Sequence, residues 1–173
     1  MQTFTLVFLI ALLLTTLTQI WLAARHIRYV RAHQDKVPEK FASQINLADH
    51  QKAANYTCAK TRAGYAGILL QVVLLLVFTL GGGLNALSNF WANWLSDPLM
   101  HGMALIISTF MIIGIAEIPL SYYRTFVIEE QYGFNKMTPG MFFTDLIKQS
   151  VLGLLLGAPL LFGVLWLMER MGE

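Results

Sequence analysis

Residues 63–96 read AGYAGILLQVVLLLVFTLGGGLNALSNFWANWLS, the longest stretch of the chain without an Asp, Glu, Lys or Arg. A helix that crosses the hydrocarbon core of a bilayer needs about 20 predominantly apolar residues. At about 1.5 Å per residue this run is too long for one crossing. Gly81-Gly82-Gly83 is the natural break, because consecutive glycines disfavour helix. Beyond it Leu84, Leu87, Trp91 and Trp94 recur at helical spacing, and Asn85, Ser88, Asn89 and Asn93 take the other side. That pattern predicts a short amphipathic helix on the membrane surface. The competing reading is a longer, tilted second span.

Three further stretches have the same character. Residues 1–24 carry no charge, residues 98–123 are interrupted only by Glu117, and residues 149–168 are uncharged. The expected architecture is therefore all-α and polytopic, with four transmembrane helices at about 3–24, 65–83, 100–122 and 147–168, a surface helix and helical cytosolic loops. Composition agrees: 56% of the 173 residues are hydrophobic and 13% charged, against about 45–50% and about 25% in soluble domains. Mean hydropathy is +0.57. These values exclude a disordered chain. A net charge of +2 without a dense basic run argues against nucleic acid as a partner. Cys58, the single cysteine, excludes a disulfide scaffold. A cleaved signal peptide would carry positive charge before its apolar core, and nothing basic precedes Arg25.

All but one, Arg170, of the 12 Lys and Arg fall in the first and third loops. The positive-inside rule then places those loops in the cytosol and both termini outside. Trp21, Tyr122 and Tyr123 lie at the inner ends of spans, and Trp91, Trp94 and Trp166 at the outer ends. The lipid bilayer is thus the first expected partner.

The first loop turns at Val37-Pro38, and Asn46 or Asp49 is a plausible helix start leading through His50 to Arg62 into the second span. Its basic residues read either as a solvated helix face or as a phosphate or lipid-headgroup patch. In the third loop Gly133 is a candidate positive-φ turn, and Thr138 with Pro139 forms an N-cap and first helical position. Asp145 and Lys148, at i,i+3, can pair on the helix that follows.

No catalytic signature is present. His26, His33, His50 and His101 never stand four residues apart, so no H-E-x-x-H zinc motif exists. His26 and His33 share a face but lie two turns apart, about 10 Å. The triple glycine lacks the Lys and Ser/Thr of a phosphate loop, and there is no G-x-S-x-G elbow. Glu117 is the sharpest single residue. An ionisable group within a span points to a water-filled cavity or a charged partner, here Arg124 or another span. Gly153-x-x-x-Gly157 has the spacing of close helix packing. Pro119 and Pro159 are expected to kink their helices.

Thr125-Phe126-Val127-Ile128-Glu129-Glu130, followed by Gly133-Phe134-Asn135-Lys136 and Thr138, resembles the N-terminal membrane region of the type 1 CAAX prenyl protease family. Ile118 to Tyr123, Asp145 to Lys148, and the run from Asp49 to Thr61 fit the same family, the last its bacterial branch. The resemblance covers nearly the whole chain. It implies an integral-membrane zinc metalloendopeptidase built around a large water-filled chamber, acting on prenylated or membrane-protein substrates. For a bacterial member it implies the inner membrane. The zinc motif and its downstream Glu ligand belong to a catalytic C-terminal half that these residues do not contain. The expectation is therefore an N-terminal membrane domain that holds no catalytic residue and no cofactor, with zinc implied for the full-length family only. It would be inactive alone and would form chamber walls for the missing metallopeptidase domain. The family's N-terminal region is described with five membrane helices, so a fifth would either follow residue 173 or be the surface helix. The alternatives are a non-catalytic membrane module for assembly or partner binding, and a small transporter subunit that uses Glu117 as a relay.

Overall fold

The computed structural model describes residues 2–171, without the side chains of Gln2 and Lys40. The termini themselves, whose outward placement was expected, lie outside the described residues. Among the described residues five α-helices follow one another: α1 (Gln2–Ala32), α2 (Leu47–Thr79), α3 (Gly83–Ala92), α4 (Pro98–Tyr123) and α5 (Pro139–Met171). A short 3-10 turn spans Glu39–Phe41, and a π-helical turn, Arg124–Glu129, continues α4. Among the described residues there is no strand. Among the described residues four helices are long and apolar enough to cross a membrane. The ten-residue α3 is about 15 Å long, half the hydrocarbon thickness, so the surface helix cannot serve as a fifth span.

α2, α4 and α5 begin before the expected spans because capping side chains set where they start. Asn46 accepts a bond from the Asp49 amide at 2.7 Å and donates its own amide to the Asp49 carboxylate at 2.8 Å. This starts α2 well before its apolar run, and its 33 residues extend about 50 Å. Asp97 accepts from the Met100 amide at 2.8 Å and Thr138 from the Met141 amide at 3.2 Å. Each is followed by a proline at the first helical position, where the missing N–H costs nothing. The expected span 65–83 overshoots, since α2 ends at Thr79. Gly82 adopts φ 76°, and a Cβ at Gly81 or Gly83 would meet the Val77 carbonyl oxygen at 2.8 or 2.9 Å. Only glycine allows this reversal. The third loop is helical, as expected: the π turn carries α4 on to Gln131, and a turn at Tyr132–Gly133 leads into coil from Phe134. Helix runs unbroken past both Pro119 and Pro159.

The chain forms two compact units, Met1–Val73 with Glu117–Asn135, and Leu74–Ala116 with Lys136–Glu173. In the first, Ile27, Ala54, Cys58 and Ile128 are buried. In the second, α3 is held to α4 by polar contacts. The His101 Nε2 lies 3.1 Å from the Ser88 carbonyl, and the Trp91 indole donates to Ser108 at 3.0 Å.

Candidate functional site

The segment singled out in the sequence folds back on α2. Lys52, Tyr56 and Lys60, at i, i+4 and i+8, share one helix face. The chain leaves the π turn at Glu129 and closes in a Schellman cap. The Phe134 amide donates to the Glu129 carbonyl at 2.8 Å, and the Gly133 amide to the Glu130 carbonyl at 2.9 Å. Gly133 supplies the left-handed residue this cap requires, at φ 70°. Part of the E-E-x-x-G-F pattern is therefore a helix stop: a glycine at the left-handed position, then an apolar residue that turns back for cover.

That cover is Tyr56. Its ring lies 4.7 Å from the Phe134 ring and 5.7 Å from that of Tyr132, centroid to centroid. Its hydroxyl donates to the Glu129 carboxylate at 3.3 Å and accepts from Lys60 at 3.2 Å. Lys60 is itself 3.8 Å from the same carboxylate oxygen. Lys52 stands 5.5 Å from the Phe134 ring centre, a cation–π distance. The Asn135 amide donates to Glu130 at 2.9 Å. The inward side of the segment is thus fastened, while Val127, Glu130, Gln131 and Phe134 remain exposed. Lys136 and Thr138 are exposed as well, Thr138 serving as the α5 cap.

One turn back, Arg124 lies against α2 at Gly67. A Cβ on Gly67 would sit 2.9 Å from an Arg124 guanidinium nitrogen. The Arg124 Nε is buried and, among the described residues, has no hydrogen-bond partner. Glu117 is exposed and does not pair with Arg124. The two are seven residues apart, about 10 Å along the helix. Gly153 and Gly157 face open space, with nothing within 4 Å of a Cβ at either. Packing there needs a partner from outside the described residues. Asp145 and Lys148 form no ion pair among the described residues. The sequence reading missed the Arg124–Gly67 contact and the Tyr56–Lys60–Glu129 cluster, which join residues far apart in the chain.

Among the described residues no three of His, Cys, Asp and Glu come together as a metal-ligand set. The described residues therefore offer no ligand set for the zinc ion that the resemblance implies for the full-length family. Nor does the cluster hold a nucleophile beside a base. Its chemistry is positional: a charged, aromatic clamp that fixes a loop at the end of two apolar helices.

These features define a helical domain with four candidate membrane spans among the described residues and an ordered segment clamped against α2. The family model described as CAAX prenyl protease N-terminal, five membrane helices, matches residues 26–173. The chain belongs to that family. It is 31% identical over 147 residues to the CAAX prenyl protease 1 homolog of Caenorhabditis elegans, covering 84% of this chain and 32% of the relative. It is 26% identical over 153 residues to CAAX prenyl protease 1 of Saccharomyces cerevisiae, covering 83% and 34%. The crystal structure of S. mikatae Ste24p superposes with a TM-score of 0.82 at 22% identity, over 94% of this chain and 39% of that one. The fold is thus that of the N-terminal membrane region of a Ste24-like protein. The chain spans about a third of the length of the curated relatives it matches.

Proposed function

We propose that this chain forms chamber walls in the membrane for a zinc metalloendopeptidase of the CAAX prenyl protease type, with loops one and three on the cytosolic side. In this reading the Glu129–Thr138 segment faces the catalytic metallopeptidase part and Glu117 lines the water-filled chamber. Substrates are prenylated or membrane proteins, and the membrane is a bacterial inner membrane. Zinc and the hydrolytic residues come from the catalytic part, and this chain contributes position. The observation that carries the reading is Arg124, whose buried Nε has no acceptor among the described residues. A buried donor without a partner costs about 1–3 kcal/mol, and a docked catalytic part supplies the acceptor. The exposed outer face of the fastened segment points the same way. The test is a photo-crosslinking residue at Gln131 in native membranes. The expected adduct joins this segment to a peptide near an H-E-x-x-H sequence. Adducts with lipid alone, or with an unrelated transport protein, would overturn the reading.

A further inference from the structure

α1 does not stop where its apolar run ends. It continues unbroken to Ala32 and carries Arg25, Arg28 and Arg31 out of the membrane on a rigid helix. At 100° per residue, Trp21, Arg25, Arg28 and Tyr29 fall within an arc of about 100°. Ile27, the one buried residue among those described in α1, sits nearly opposite. All four stripe residues are exposed. The Arg25 guanidinium lies 5.5 Å from the Trp21 ring centre. Among the described residues neither Arg25 nor Arg28 meets a carboxylate.

The geometry suits one chemistry. Trp favours the level of the lipid headgroups, and Arg25 follows it by about 6 Å of helix rise. Helical side chains lean toward the helix N-terminus. For α1 that direction is back toward the lipid, as the Arg25–Trp21 contact shows. Two guanidinium forks a turn apart beside an interfacial indole match a phosphate oxyanion held at the membrane surface. We propose that the Trp21–Arg25–Arg28–Tyr29 stripe is a binding site for the phosphate headgroup of an anionic membrane lipid. Arg31 lies within about 40° of the Ile27 face and is outside the site.

The test uses the full chain in micelles with equal mole fractions of phosphatidylglycerol and phosphatidylcholine, and native mass spectrometry to count retained lipids. A basic residue near an anionic surface gives about fivefold preference. The expected bias toward phosphatidylglycerol is therefore about 25-fold. R25Q/R28Q should remove most of it, R25Q alone about fivefold of it, and R31Q none. Inorganic phosphate at matched ionic strength should not displace the lipid. Equal retention of the two lipids would overturn the proposal, as would a bias that survives R25Q/R28Q. So would an equal loss in R31Q, which marks a diffuse field, or displacement by inorganic phosphate, which reassigns the site to free phosphate. Circular dichroism confirming unchanged helicity keeps the comparison valid, and R25Q alone carries the test if the double variant unfolds.

Discussion

Replacing Tyr56 tests whether α2 holds the interfacial segment in place. Tyr56→Phe keeps the ring and removes the hydroxyl, whose two bonds are long at 3.3 and 3.2 Å. One such net contribution is about 1 kcal/mol. The Lys60–Glu129 pair adds little, because Lys60's side chain is 56% exposed. Tyr56→Ala also removes the contacts with Tyr132 and Phe134, at about 1 kcal/mol each. The totals are about 1 kcal/mol for Phe and about 3 kcal/mol for Ala. Hydrogen exchange of the chain in nanodiscs reads these as local opening. The amides of Gly133, Phe134 and Asn135, bonded to the Glu129 and Glu130 carbonyls, should exchange about fivefold faster in Tyr56→Phe and about 150-fold faster in Tyr56→Ala. Unchanged exchange in Tyr56→Ala would refute the clamp. Equal effects of the two variants would refute the division between ring and hydroxyl.

Four other outcomes are expected. Gly133→Ala has room for its methyl, the nearest atom being the Lys52 Nζ at 3.6 Å, so its cost is the left-handed backbone alone, about 1–2 kcal/mol, read as faster exchange of the same amides. Thr138→Ala loses the α5 cap, about 1 kcal/mol, and the Met141 amide should exchange about fivefold faster while Thr138→Ser changes little. His101→Ala removes a contact that joins α3 to α4, and a spin label at exposed Asn85 should gain mobility. Metal analysis of the purified chain should find substoichiometric zinc, and one zinc per chain that resists a weak chelator would contradict the reading that the ion belongs to another part.

The readable features were those settled within a few residues. Gly82 and Gly133 announce reversals because side chains rarely tolerate positive φ. Asn46 and Thr138 announce helix starts because the capped amide lies three residues away. The span count followed from the scarcity of charge. What stayed hidden joins distant parts of the chain. Tyr56 and Glu129 are separated by 73 positions, and no local pattern marks them as partners. Arg124 invited pairing with Glu117 on its own helix, but two turns of rise keep them apart, and Gly67 on α2 offers a notch without a side chain. The π turn was hidden too: Arg124–Glu129 follows an ordinary helical sequence, and an expanded turn of this kind often marks a functional position.

Where burial occurs also bears on what the spans are for. In each spanning helix the most apolar window is 0–6% buried. In the first unit the buried residues Ile27, Ala54, Cys58 and Ile128 lie beyond the expected spans, at the basic end. Lipid supplies no hydrophobic drive for helices to associate, so membrane helices that form a closed bundle rely on close packing through small residues. In the second unit Gly153 and Gly157 have the spacing for that contact, and a Cβ at either meets nothing within 4 Å among the described residues. In the first unit the ordered contacts, the Tyr56–Glu129–Lys60 cluster and the Arg124–Gly67 approach, hold α2 to the end of α4 and its π turn. In the function proposed above, these uncovered apolar windows are faces for lipid or for another part of a larger assembly. Glu117 belongs to the same proposal: it is a carboxylate on an exposed stretch of α4, without an ion-pair partner among the described residues, and a span tolerates such a group where water reaches it.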